Sequence, residues 1–134
     1  MACCIMDIAV TERNDGPVPV TIFHIKGDID MKSSDQLQQR AGEAITAGTR
    51  NLLLDLSEVR YVSSAGLRTM HILLKMLTQE TEESISKRVR EGTFKAPHLK
   101  LLNPSRSVED VLRISGFDML LEIHHDLQKA IASF

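Results

Sequence analysis

The side chains best placed for chemistry are two adjacent hydroxyls, Ser63 and Ser64, in the string Tyr61-Val62-Ser63-Ser64-Ala65-Gly66. The apolar run Leu52 to Leu56 precedes them and reads as a strand buried on both faces. From Gly66 to Leu77 the apolar residues fall at 67, 70, 73, 74 and 77, which is helical spacing. A strand running into a serine-capped helix presents hydroxyls at a helix N-terminus, where free N–H groups and the helix dipole tolerate a phosphate. Such a hydroxyl serves either as a nucleophile or as a phosphate acceptor. The nucleophile elbow requires G-x-S-x-G, yet Tyr61 or Val62 stands where its first glycine belongs. A triad also needs a histidine and an acid within reach. His71 lies in the same helix, and His124 and His125 obey no diagnostic spacing. The residues therefore favour Ser63-Ser64 as a surface recognition point over a hydrolase centre.

A second constellation is the carboxylate pair Asp28 and Asp30 in Gly27-Asp28-Ile29-Asp30. Aspartates suit turns, because they bond their own backbone and accept unusual geometry. In a parallel α/β sheet, however, the strands ending near Lys26 and Leu56 deliver their loops to one edge. There an acid would orient a serine hydroxyl, or a metal carried by an incoming nucleotide. Both readings stand at this point. No other motif competes: G-x-x-x-x-G-K-[ST] and G-x-G-x-x-G are absent, and the five histidines lack metal spacing. No cofactor and no resident metal are expected. Cys3 and Cys4, the only cysteines, supply neither a disulfide framework nor a zinc site.

The elements that must position these groups are legible in outline. Ile5 to Thr11 and Val18 to Lys26 read as strands of a hairpin across the turn-rich Arg13 to Pro17. In the second strand Val18, Val20, Ile22 and His24 share one face, and Phe23 and Ile25 the other. Ser33 or Ser34 is the expected cap of a helix from Asp35 to Ala47. Its inner stripe is Leu37, Ala41, Ala44 and Ile45, and Gly48 follows it. After the serine turn and its helix, Thr78 to Pro97 is charged, acids first and bases later, and reads either as a helix ending near Gly92 or as a loop. His98 to Asn103 is a further strand, Ser105 or Ser107 caps a helix to Ile114, and Gly116 ends it. Met119 to Ile123 and His125 to Ser133 read as a last strand and helix. Strands alternating with helices imply a mixed, largely parallel α/β sheet.

At 134 residues this is expected to be one domain, 1–134, with its own core. A net charge of −2 does not call for a nucleic-acid partner. No apolar run approaches the ~20 residues of a membrane helix, so no membrane insertion is expected. The N-terminus lacks a basic region followed by an apolar stretch of signal-peptide length, and a cytoplasmic location is expected.

Four short motifs in order carry a family resemblance: GDID at 27–30, LLLDLSEV at 52–59, YVSSAGLR at 61–68 and RSVEDVLRISGF at 106–117. Together they resemble the STAS domain of bacterial anti-anti-sigma factors, across roughly Val18 to Phe134. The resemblance implies a four- or five-stranded sheet with helices mainly on one face. It implies no enzyme but a partner switch. The unmodified protein binds an anti-sigma factor that is also a serine kinase, phosphorylation of one serine releases it, and a serine phosphatase resets the system. The family's usual D-S-S-G places its phosphoserine on Ser64, with Ser63 in place of the acid and Ala65 in place of the following serine; Ser63 is the alternative. The family's G-x-[IL]-D acid falls on Asp30. The resemblance thus implies a partner surface of Asp28, Asp30 and Met31 with Tyr61 to Gly66 and Arg68. On that surface Met31, Tyr61 and Val62 would supply apolar contacts; Met70 would either join them or lie in the core. The segment at about 79–97 is longer than the family's usual link and would reshape a partner surface. Two other uses of the same features are a STAS scaffold subunit of a stress-sensing or lipid-transport assembly, and a hydrolase acting through Ser64.

Overall fold

A computed structural model describes residues 6–78, 82–92 and 95–134. Cys3, Cys4, Ile5 and Phe94 lie outside the described residues, as do the side chains of Ile85 and Val89. The hairpin forms first: β1, Asp7–Arg13, pairs antiparallel with β2, Val20–Lys26. Three parallel strands follow, β3 at Leu52–Glu58, β4 at Leu99–Leu102 and β5 at Ile123–His124. The sheet order is β1-β2-β3-β4-β5, which puts the Leu52–Leu56 run in its centre. The α/β class, the mixed five-stranded sheet and the central strand all match expectation.

Strand alternation decides which side chains build which layer. Phe23, Ile25, Leu52, Leu54, Leu56, Leu99 and Leu101 point to one face. They pack on Leu37 and Ala41 of α1 (Met31–Thr46), on Met70, Leu73 and Leu74 of α2 (Ser64–Leu77) and on Val108 and Leu112 of α4 (Arg106–Ser115). The other face carries Val20, Ile22, Leu53 and Leu102 against Ala130 and Ile131 of α5, Leu127–Ala132. Helices therefore lie mainly, not wholly, on one face. The charged segment contains a helix, α3 at Glu82–Arg90. Ser105, not Ser107, caps α4 by accepting from the Val108 N–H, and Gly116 stops it at φ +84°.

Two expectations are corrected. The last strand is not Met119 to Ile123. Gly116 turns the chain into a 3-10 turn at Phe117–Met119, where the N–H groups of Met119, Leu120 and Leu121 donate to Gly116 O and Phe117 O, and pairing begins only at Ile123. The first helix starts at Met31, not Asp35, and its cap is Asp30, not Ser33 or Ser34. Asp30 accepts from the N–H groups of Lys32 and Ser33 while the Ser33 hydroxyl accepts from the Asp30 N–H, a reciprocal capping box.

Among the described residues buried in the interior, the one that carries a charge is Lys100, 2 % exposed. Alternation within β4 turns it toward α5, where its Nζ donates to the carbonyl and hydroxyl oxygens of Ser133 and lies 3.2 Å from Glu122. Burial of the charge is offset by those three oxygens, as a buried cation requires.

Candidate functional site

Two loops at the carboxyl ends of β2 and β3 form the site, and backbone pairing ties them together. Ile29 N–H donates to Tyr61 O and Ser63 N–H to Ile29 O, each at 2.9 Å, so Ile29 and Val62 make an isolated parallel bridge. The bridge lies beyond the ends of both strands and holds residues 28–30 beside residues 61–64. Both side chains at the bridge are core: Ile29 is fully buried and Val62 is 2 % exposed. Gly66 seals the joint. A Cβ there would lie 2.8 Å from Ile29 Cγ2 and Val62 Cγ1 and 2.9 Å from Ile29 O. The glycine is needed for close approach of helix to loop, not for an unusual φ.

The two serines divide their work. A helix leaves its first N–H groups without internal partners. Here Ser63 is the N-cap: its N–H is spent on Ile29, its side chain accepts from Gly66 N–H at 3.2 Å, and its carbonyl accepts from Leu67 N–H. Ser63 is half-buried; Ser64, the first residue of α2, is exposed. The helix therefore starts two residues earlier than the apolar pattern implies. What separates the serines is their place: Ser63 is the cap and Ser64 the first residue of the helix. One turn on, Arg68 is also exposed.

Ser64, Ala65 and Arg68 line an open cleft of about 620 Å³ between α1 and α2. Met31, Ser34 and Asp35 supply its α1 wall, and Thr69 and Ile72 continue the α2 wall. The helices are joined beneath it where the Thr69 hydroxyl donates to Ser34 O at 3.4 Å. Ser34, Asp35, Thr69 and Ile72 were not expected at the site; from the sequence Ser34 and Asp35 were read only as a helix cap and a helix start. Their signal was available: 65, 68, 69 and 72 are one helical face, and 31, 34 and 35 become one face once α1 starts after Asp30.

The other site residues fall on both sides of the surface. Asp28 is exposed, and Met31 and Tyr61 are 78 % and 54 % exposed. Val62 and Gly66 are corrected: both are buried, because one carries the bridge and the other makes room for it, so neither offers a partner its side. Met70 is fully buried in the core. Asp30 caps α1 through one carboxylate oxygen, Oδ1, which accepts from the Lys32 and Ser33 N–H groups and from the Ser33 hydroxyl. Among the described residues, no histidine hydrogen-bonds Ser64. A hydroxyl–imidazole–carboxylate chain runs elsewhere, from Thr11 through His24 to Asp55, at 3.1 and 2.8 Å across β1, β2 and β3.

Among the described residues four carboxylates are held below the usual range: Asp15, through its hydrogen bond from Arg13; Glu122, where burial pushes upward and is outweighed by His124 and Lys100; and Asp30 and Asp55. For Asp30 the cause is the Ser33 N–H, helped by the Ser33 hydroxyl and the Lys32 N–H. For Asp55 burial pushes upward and is outweighed by His24 together with the Ser57 N–H. A carboxyl depressed in the fold stabilises it fully above its unfolded value of about 3.9, and that stability is lost as pH falls through the lower folded value. Melting temperature should therefore drop on acidification below about pH 4. Asp30→Ala should lower the melting temperature at pH 7 by removing the cap. Asp30→Asn should restore most of it, since asparagine caps as well as aspartate, while flattening the acid limb. An unchanged melting temperature in Asp30→Ala would contradict the capping role.

Residues 9–85 match the family model for the STAS domain. Over 110 residues the chain is 27% identical to a Bordetella bronchiseptica protein named "Putative anti-sigma factor antagonist BtrV", with 82% of each chain covered. An anti-sigma factor antagonist from Mycobacterium paratuberculosis has a similar fold, with TM-score 0.71, 21% identity, and 94% and 91% of the two chains covered. The anti-sigma factor antagonist SpoIIAA in its unphosphorylated form gives 0.66 at 17% identity, covering 93% of each chain. The phosphorylated form of SpoIIAA, a Bacillus cell fate determinant, gives 0.57 at 17%, covering 92% and 96%. With the family model matched over more than half its length, the chain belongs to the STAS domain family.

Proposed function

We propose that this protein is an anti-sigma factor antagonist, a cytoplasmic binding module rather than an enzyme. Unmodified, it binds an anti-sigma factor with serine kinase activity and so regulates transcription. The kinase phosphorylates Ser64, the complex dissociates, and a serine phosphatase resets it. The observation that carries this reading is the placement of Ser64: exposed on the first turn of α2, on a base fixed by the Ser63 cap and the Ile29–Val62 bridge, in a cleft that the exposed Met31 also lines. The names of the relatives point the same way.

The physics of the switch follows from that placement. A phosphate adds about −1.5 to −2 charges. At a helix N-terminus it does no harm to its own fold. In a contact built on Met31 and Tyr61 it would have to be desolvated, with the Asp35 carboxylate lining the same cleft, and both effects oppose association. A pull-down comparing wild type with Ser64→Ala and Ser64→Asp tests the reading. Wild type and Ser64→Ala should both retain a serine-kinase anti-sigma factor, and only the wild-type complex should dissociate on adding ATP. Equal retention of such a kinase by all three, with no effect of ATP, would contradict it.

A further inference from the structure

Resting on the reading of Ser64 as the phosphate acceptor, we propose that a phosphate on Ser64 is taken up within the same helix by Arg68. Ser64 and Arg68 stand at i and i+4 of α2, both exposed, and both line the α1–α2 cleft. At that spacing side chains on one helix face meet. Arg68 is free to respond: among the described residues it makes no hydrogen bond or ion pair, although Asp35 lines the same cleft. An acidic group N-terminal to a basic one is also the favourable order along a helix, since each then complements the dipole. A guanidinium matches a phosphate with two parallel N–H donors. Modification therefore does two things to the cleft. It adds a dianion, and it withdraws the cation that the unmodified surface offers to an acidic group on a partner.

The test needs no kinase. Phosphoserine is installed at position 64 during translation, in the full chain, and the phosphate is titrated by phosphorus NMR. Asp35 lines the same cleft, and Asp28, Asp30 and Lys32 stand on the neighbouring loop and the first turn of α1. These groups are common to every variant, so the comparison isolates Arg68. Arg68→Gln should raise the midpoint of the second phosphate ionisation by about 0.2–0.4 pH unit relative to the unsubstituted chain. Arg68→Lys should recover part of that shift. The Arg68 Nε–H resonance should move with the same midpoint as the phosphorus signal. Equal midpoints in the unsubstituted and Arg68→Gln chains, with an Arg68 resonance indifferent to phosphate ionisation, would overturn the pairing. The outcome is separate from that of the functional reading. A paired phosphate in a protein that no kinase modifies would sink the reading alone; a modified Ser64 whose phosphate ignores Arg68 would sink the pairing alone.

Discussion

Gly66→Val is expected to destabilise the protein by about 2–3 kcal/mol, the upper part of the range for overpacking a well-filled core. It is also expected to loosen the functional loop before the rest of the sheet. A Cβ at this position meets three atoms closer than 3.0 Å: Ile29 Cγ2, Val62 Cγ1 and Ile29 O. None of them can retreat. Ile29 and Val62 are buried, and Ile29 O is the acceptor of the Ser63 N–H. The gain in helix propensity on leaving glycine, up to about 1 kcal/mol, does not offset this. The two extra methyl groups of valine deepen the clash. Denaturant unfolding measures the loss, and amide exchange of the Ser63 and Ile29 N–H groups locates it. A variant as stable as wild type, with both amides still protected, would mean that the helix does not bear on the bridge.

The second large effect concerns binding. Ser64→Asp should bind the partner at least tenfold more weakly, about 1.4 kcal/mol, with its melting temperature little altered. The Ser64 side chain is exposed and caps nothing, the cap being Ser63. A carboxylate in the first turn of a helix is favourable in its own right. The charge is therefore harmless to the fold and costly only where a partner must desolvate it. Ser63→Asp should behave differently. Aspartate is itself a good cap, so the fold should persist, but a half-buried charge at the bridge lies away from the cleft and should weaken binding less. Comparable losses from both substitutions would place the contact over the whole turn rather than on Ser64. Isothermal titration with the purified partner distinguishes the two.

Much of this was legible in the sequence, and what was not has physical causes. Continuous apolar runs such as Leu52–Leu56 mark a strand buried on both faces, and serine or glycine punctuation marks helix ends, so the sheet and most helices follow directly. Helix starts shifted because the first turn of a helix is capped rather than packed. Met31 and Lys32 in α1, and Ser64 and Ala65 in α2, lack an apolar period to announce them. Asp30 and Ser33 do carry a capping box, but with serine at the position where glutamate is the usual sign. Val62 sits in an exposed-looking loop and is buried because a two-residue bridge between separate loops is invisible to any periodicity. The same bridge explains Gly66, whose role depends on a contact 37 residues away in the chain at Ile29. That Tyr61, Ser64 and Arg68 are candidates at all was legible only through the motif at 61–68, since nothing local fixes an exposed side chain's use.

The central claim is that Ser64 is the switched residue, and site mapping by mass spectrometry tests it most directly. The protein is incubated with ATP and the serine-kinase anti-sigma factor it retains, then fragmented. The account predicts one phosphate, on Ser64, absent from Ser64→Ala and accompanied by release of the partner. Phosphate on Ser63 instead, or no phosphate on either serine with binding that ATP does not reverse, would contradict it.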